Sequence, residues 1–453
     1  MTIKNYAAQN SGTESASNVG ITVEYPQISN PLLLLFCGYV IIWYLQIGYR
    51  IPMLGAIRFE FIYAATLIFL AMFFTPRIHY DCPLYPFIIM YFLIILIQVP
   101  LSYDFDTSWT IFVDRIIKFA FMSFFIVSFV RSPTHLKFFL GAFLLACLKM
   151  GQEGLFGRIS GGLIWENEGV MRLHGATPLY THPNSFSGMA MGTLPFVYYL
   201  WPSTNKYLRP VLLLIGLLSL QIIMYTGSRT GYVGLCVLIA YIFINSKAKR
   251  KFITWFIIFS LLVLPFIPSD YIGRFDTIFT GTDKVGHSTE KRIQILEDAW
   301  QIFVDNPFGI GVAAFPKKRI DTFGRWQDTH NLYLEIATNL GIQGLIVVGL
   351  FIYNMLKILR STRISASNLI MELEAYPDQI SRVLLDDLRL IEAVALATSA
   401  FIIARLALGL FGMDLYEIYW WFALGIATSL YGMLQNIDNT MRLHKLAQTQ
   451  DKL

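Results

Sequence analysis

Twelve long apolar runs separated by shorter polar stretches leave this chain few folds to choose from. They lie near residues 31–47, 60–75, 83–100, 112–130, 135–150, 185–201, 209–226, 229–245, 252–268, 331–357, 389–411 and 416–434. Most approach the ~20 apolar residues that a helix needs to cross the hydrocarbon core of a bilayer. Lipid offers no water to an exposed backbone, so each run must satisfy its own N–H and C=O groups, which a helix does within one segment. The expected fold class is therefore all-α: a polytopic integral membrane protein with about twelve transmembrane helices. The composition agrees, since 55% of the residues are hydrophobic and only 14% are charged, where a soluble domain has roughly 25% charged.

Basic residues orient the expected spans. Lys247, Lys249, Arg250 and Lys251 form the densest cluster, and Lys357, Arg360 and Arg363 follow the tenth run. The positive-inside rule puts both groups in the cytoplasm. Alternation from there also places Arg131, Lys137, Lys206, Arg209, Arg442 and Lys445 inside. The expected organisation is a disordered cytoplasmic tail (1–30), nine spans (31–268), a large outer loop (269–330), three spans (331–434) with a cytoplasmic loop at 358–388, and a cytoplasmic tail (435–453). Residues 1–30 are rich in Ser, Asn and Thr and lack the basic-then-apolar order of a signal peptide, so the first span is expected to be uncleaved.

Several chemistries find no support. Cys37, Cys147 and Cys236 lie within apolar runs and Cys82 lies in a short loop, which is no disulfide framework. The sequence has no CxxC pair, no HExxH helix and no P-loop, so no metal site, no cofactor and no nucleotide-driven transport is expected. Nucleic acid is not an expected partner, since there is no soluble basic domain to hold it. No internal repeat is evident, which weighs against transporter folds built from repeated halves.

This topology leaves two long outer segments, 151–184 and 269–330. Within the second, Ser288 to Val304 is amphipathic, with Ile293, Leu296, Trp300 and Phe303 on one face at helical spacing. It is expected to lie on the membrane surface or to cap the bundle. NPFGIG, Asn306 to Gly311, follows as a turn that bends the chain back toward the bilayer.

The candidate chemistry gathers at the outer face. In DTHNLYLEIATNLGIQGL, from Asp328, His330 stands where a polar loop becomes a membrane helix. Histidine titrates nearest neutrality, so His330 is the candidate catalytic base, with Asp328 and Glu335 placed to orient the ring or tune its pKa. Asn331 and Glu335 also count as substrate-binding candidates, although a carboxylate in the first turn of a helix is equally explained by the helix dipole. Arg229 lies in TGSRTG at an outer helix start, with Ser228 as the expected N-cap. There a guanidinium and free backbone N–H groups attract an anion together; the plainer alternative is snorkelling to headgroups. Arg405 interrupts the apolar run FIIARLALGL. A buried membrane charge implies either function or structural pairing, here with Asp414 or Glu417. Arg50, Arg58, Arg115, Lys118, Lys149, Arg158, Arg172, Arg274 and Arg292 gather on the same expected face, Arg172 and Arg292 being taken as substrate ligands. Such a positive mouth suits the diphosphate of a polyprenyl-linked sugar. His174, His182 and His287 are weaker candidates, and HPNS at His182 more simply marks a turn.

HNLYLEIATNLGIQGL, GSRTG, STEKRIQILEDAW followed by NPFGIGVAAF, and HPNSFSG together resemble the O-antigen ligase and O-antigen polymerase superfamily of bacterial membrane glycosyltransferases over roughly residues 180–350. The resemblance implies a GT-C-like membrane enzyme of the bacterial inner membrane, with both termini cytoplasmic and the outer loop and active site periplasmic. It implies an undecaprenyl-diphosphate-linked saccharide as donor, a saccharide or lipid A-core acceptor, and neither metal nor nucleotide. It assigns the diphosphate to Arg229, activation of the acceptor hydroxyl to His330 and donor binding to Arg292. Ligase and polymerase remain open. An anion transporter and a flippase for the same lipid are competing classes; the first needs polar residues near the midplane, and the second has no need of His330.

Overall fold

The computed structural model describes residues 23–77, 82–167, 170–246, 248–263, 288–374, 382–412 and 415–450. Each of the apolar runs is helical over most of its described residues, the run 252–268 being described only to 263. Among the described residues, Pro133–Ile159, Leu332–Glu374 and Arg382–Leu408 are long and apolar enough to cross a membrane, and five more helices are apolar but shorter. The expected tail up to residue 22, and residues 269–287 with Arg274 and His287, lie outside the described residues.

The exterior behaves as lipid requires. On helix Phe59–Phe74, Phe61, Phe69, Met72, Phe73 and Phe74 are all more than half exposed. Such a continuous apolar surface is foreign to a soluble monomer. Lipid tails are as apolar as the side chains, so helices associate in a bilayer through close packing. Here an aromatic slab supplies it: Phe36 stacks on Phe129 and Phe139 at 5.3 and 5.6 Å, and Phe422 meets Phe143 at 5.0 Å and Phe196 at 6.0 Å. These rings join helices Asn30–Leu45, Lys118–Phe129, Pro133–Ile159, Pro183–Leu200 and Ile418–Gln450.

Several boundaries differ from the sequence reading. Helix Pro133–Ile159 runs 27 residues, past the expected end at 150, and an antiparallel strand pair, Ile164–Asn167 with Val170–Leu173, follows it. That hairpin is the single departure from an all-α description among the described residues. Helices Leu332–Glu374 and Arg382–Leu408 extend through most of the segment 358–388 instead of stopping at the membrane. In helix Ser288–Asp305, the inward face is Ile295, Asp298, Ala299 and Ile302, while the expected face with Ile293, Leu296 and Trp300 points outward. Both faces carry apolar residues, so one packs on the protein while the other is left outward, as a helix lying on a membrane surface would have it.

The feature that sets the site's scaffold is a broken helix. Within Leu332–Glu374, Gly341 takes φ 71° and ψ −168°. The turn Asn306–Gly311 enters this break: Thr338 O and Asn339 O accept from Ile310 N (2.9 Å) and Gly311 N (3.0 Å), and Ile342 N donates to Pro307 O (2.9 Å). Gln98 and Gln343 both donate to Phe308 O. Irregular backbone survives at membrane depth only where protein satisfies it, and the turn does that here. The turn Asn306–Gly311 is thereby locked into helix Leu332–Glu374.

Candidate functional site

The chain leaves helix Phe315–Phe323 through Gly324 and reaches His330, which has φ 47°, a left-handed conformation that histidine tolerates better than most residues. Asn331 then caps the next helix: its Oδ1 accepts from Tyr333 N and Leu334 N, both at 3.0 Å, and its Nδ2 donates to Leu410 O at 3.2 Å. Leu332 N donates to Gly409 O at 2.7 Å. The His330 backbone is thus fixed to the end of helix Arg382–Leu408, and Asn331 serves that anchorage. Glu335 is buried and accepts from Leu415 N at 3.1 Å, so its carboxylate holds the chain before the C-terminal helix.

Gln327 Nε2 lies 3.1 Å from His330 Nε2. An amide nitrogen only donates, so in this arrangement the imidazole Nε2 is the acceptor and the ring is neutral. Burial, followed by Arg292 and Arg319, holds the His330 pKa below the ordinary histidine value. Asp328, expected to orient the ring, instead accepts from Thr329 N at 2.8 Å, and burial raises its own pKa. Gln327, which the sequence reading passed over, takes that place.

The TGSRTG and HPNS turns form a second wall. Ser228 Oγ accepts from Gly231 N at 3.1 Å, the expected cap, and donates to Asn184 Oδ1 at 2.9 Å. The same Asn184 oxygen accepts from Arg172 Nη2 at 2.9 Å, and Arg172 Nε donates to Thr226 O at 2.8 Å. Arg172, buried in the hairpin, therefore ties that hairpin to both turns. Arg229 is half-buried at the first position of helix Arg229–Asn245, where the helix dipole favours an anion. His182 Nδ1 accepts from Asn184 N at 3.2 Å. Loss of solvent, then Arg172, His330 and Arg292, push the His182 pKa down to about 4. Arg292, on helix Ser288–Asp305, lowers the pKa of both imidazoles through its charge.

A buried ion pair holds that loop helix. Asp298 meets Arg319 Nε at 2.8 Å and Arg325 Nη2 at 3.4 Å, with Asp298 and Arg319 both almost fully buried. Removing one partner of such a pair strands the other, which typically costs about 3–5 kcal/mol. Arg319→Leu should therefore loosen the outer loop and speed limited proteolysis there while membrane insertion persists; unchanged proteolysis would remove this role.

Arg405 is buried within helix Arg382–Leu408. Its Nη2 donates to Gly188 O at 2.7 Å, and its Cζ lies 3.2 Å from the Tyr419 ring centroid. A Cβ at Gly188 would come within 3.1 Å of the guanidinium, so the glycine makes the room. The side chain packs inside the bundle against helix Pro183–Leu200. Of its expected partners, Asp414 lies outside the described residues, and Glu417 pairs with Arg115. Other cations are likewise engaged: Arg50 makes two bonds of 2.7 Å to Glu153, Lys118 pairs with Asp114, and Arg158 covers the Tyr225 ring.

His330, His182, Arg172 and Arg292 are thus brought together, with Arg229 on the same wall as Arg172. His182 marks the expected turn, as the N-cap of helix Pro183–Leu200, and the bonds of Asn184 beside it reach Ser228 and Arg172. The assembly offers a neutral base beside fixed positive charge, suited to deprotonating a hydroxyl near an anionic leaving group. No curated protein matches the chain. Residues 214–349, a stretch that holds Arg229, Arg292, His330 and the broken helix at Gly341, match the family model for O-antigen ligase, and the chain accordingly carries a domain of the O-antigen ligase and polymerase superfamily.

Proposed function

We propose that this chain is a membrane glycosyltransferase of the O-antigen ligase type, moving an undecaprenyl-diphosphate-linked saccharide onto an acceptor sugar hydroxyl at the periplasmic face. What supports this most is the neutral His330 ring set beside Arg292, within a stretch of the O-antigen ligase family. On this reading about twelve helices cross the inner membrane, both termini are cytoplasmic and the loop 269–330 is periplasmic.

The acceptor hydroxyl displaces Gln327 from His330 Nε2 and gives that nitrogen its proton while the hydroxyl oxygen attacks the anomeric carbon. The bond from that carbon to the diphosphate breaks, and undecaprenyl diphosphate leaves with the electron pair. Arg229 and Arg292 stabilise the charge that grows on it. A single displacement of this kind inverts the anomeric configuration. Because arginines supply the counter-charge, transfer should persist in EDTA; a strict requirement for a divalent ion would contradict this assignment.

The acceptor class is settled by deleting the gene in its native organism and resolving the lipid-linked glycans. Full-length chains accumulating on the carrier mark a ligase acting on lipid A core, and accumulating single repeats mark a polymerase. Unchanged glycans would remove the transferase reading and favour transport.

A further inference from the structure

We infer that His182 is a second substrate-contacting histidine, a neutral donor whose Nε2–H bonds a diphosphate oxygen of the lipid-linked saccharide. The inference rests on the transferase reading above. His182 lies outside the stretch that matches the family model, at the N-cap of helix Pro183–Leu200. Its Nδ1 is occupied by the N–H of Asn184 at 3.2 Å, so the neutral ring carries its proton on Nε2. No described residue takes that proton as a hydrogen bond.

Position follows from the same asparagine. The Asn184 side chain is bonded to Ser228, the residue before Arg229, and to Arg172. One turn therefore fixes both the His182 ring and the helix start proposed to hold the diphosphate. Trp165 flanks the ring edge-on, with centroids 6.1 Å apart at 75°. The charged and titratable groups that act on His182 are Arg172, His330 and Arg292. Lost solvation first, and then these groups, keep the ring uncharged at neutral pH, so it acts as a fixed donor and does not compete with His330 for the acceptor proton. The two rings then present opposite atoms: His330 Nε2 accepts and His182 Nε2–H donates. Paired groups whose surroundings give them different duties are a recurring arrangement in acid–base sites.

Two substitutions separate this role from capping. His182→Asn keeps an oxygen near the Nδ1 position, preserving the cap, and loses the distal donor. His182→Gln keeps an N–H near the Nε2 position and loses the cap. In the purified full chain, donor KM and kcat, the affinity for added undecaprenyl diphosphate, and the Tm are measured together. The Asn variant should bind the diphosphate lipid about 10- to 100-fold more weakly, the range for a lost hydrogen bond to a charged group, at an unchanged Tm. The Gln variant should bind within a few-fold of the parent at a somewhat lower Tm. An Asn variant with parental affinity and turnover would overturn the inference, as would losses in both variants that simply follow Tm. A parent protein that neither binds undecaprenyl diphosphate nor transfers sugar removes the transferase reading, and this inference with it; a parent that does both isolates the His182 role.

Discussion

His330→Ala is expected to lower transfer by about 10²–10⁴-fold, the usual contribution of a positioned general base, while donor binding is retained. Alanine is a poor control on its own, because His330 occupies a left-handed backbone position that costs a residue with Cβ roughly 1–2 kcal/mol. Asparagine tolerates that conformation and has no basic nitrogen, so His330→Asn should keep the fold and still lose the rate. A His330→Asn protein with parental turnover would exclude the base role. The pH dependence has a definite sign. A lowered pKa leaves His330 unprotonated at neutral pH, so the acid limb of kcat/KM should fall below the ordinary histidine value of 6.5. Arg292→Gln removes a cation that lowers this pKa and should move the limb upward; a limb that stays put would detach Arg292 from His330.

Gly341→Ala should have the largest effect on folding. The residue holds φ 71° with ψ −168°, a region essentially restricted to glycine, and backbone strain of this kind costs about 1–3 kcal/mol. A Cβ there would also lie 2.4 Å from the Phe308 carbonyl carbon, inside the turn that completes the broken helix. Relief requires withdrawing Asn306–Gly311 and exposing Thr338 O, Asn339 O and Ile342 N, each of which that turn now satisfies. Gly349→Ala in the same helix is the internal control, because its Cβ would meet nothing within 4 Å. The Gly341 variant should lose detergent-stable folded protein and activity together, while the Gly349 variant should match or slightly exceed the parent, as alanine is the better helix former by about 1 kcal/mol. Equal stability of the two variants would mean the interlock contributes little.

These two residues mark where sequence reading succeeds and where it stops. His330 was legible because a polar loop gives way to an apolar run at one point, and Ser228 because a hydroxyl before a helix start has a local meaning. The twelve apolar runs became helices for a reason that needs no tertiary knowledge: lipid enforces internal bonding. Gln327, by contrast, is one polar residue in a polar loop, and nothing periodic distinguishes it from Asp328 three-dimensionally nearby. The bonds of Asn184 to Arg172 and Ser228 span 12 and 44 residues, beyond any spacing rule. Arg405 was legible as a charge inside an apolar run, but its partners Gly188 and Tyr419, on other helices, were not. NPFGIG was visible as a turn, but the break at Gly341 was not, since it falls inside one apolar run, and that the turn fills it depends on the pairing of Ile310 with Thr338.

The most direct test is to incubate the purified chain in detergent with an undecaprenyl-diphosphate-linked oligosaccharide and an acceptor glycan, then follow both products by mass spectrometry. Transfer catalysed through His330 predicts a lengthened acceptor and one equivalent of free undecaprenyl diphosphate, both absent with His330→Asn. Intact lipid-linked donor after incubation with every acceptor class, lipid A core and lipid-linked repeat alike, would contradict the account.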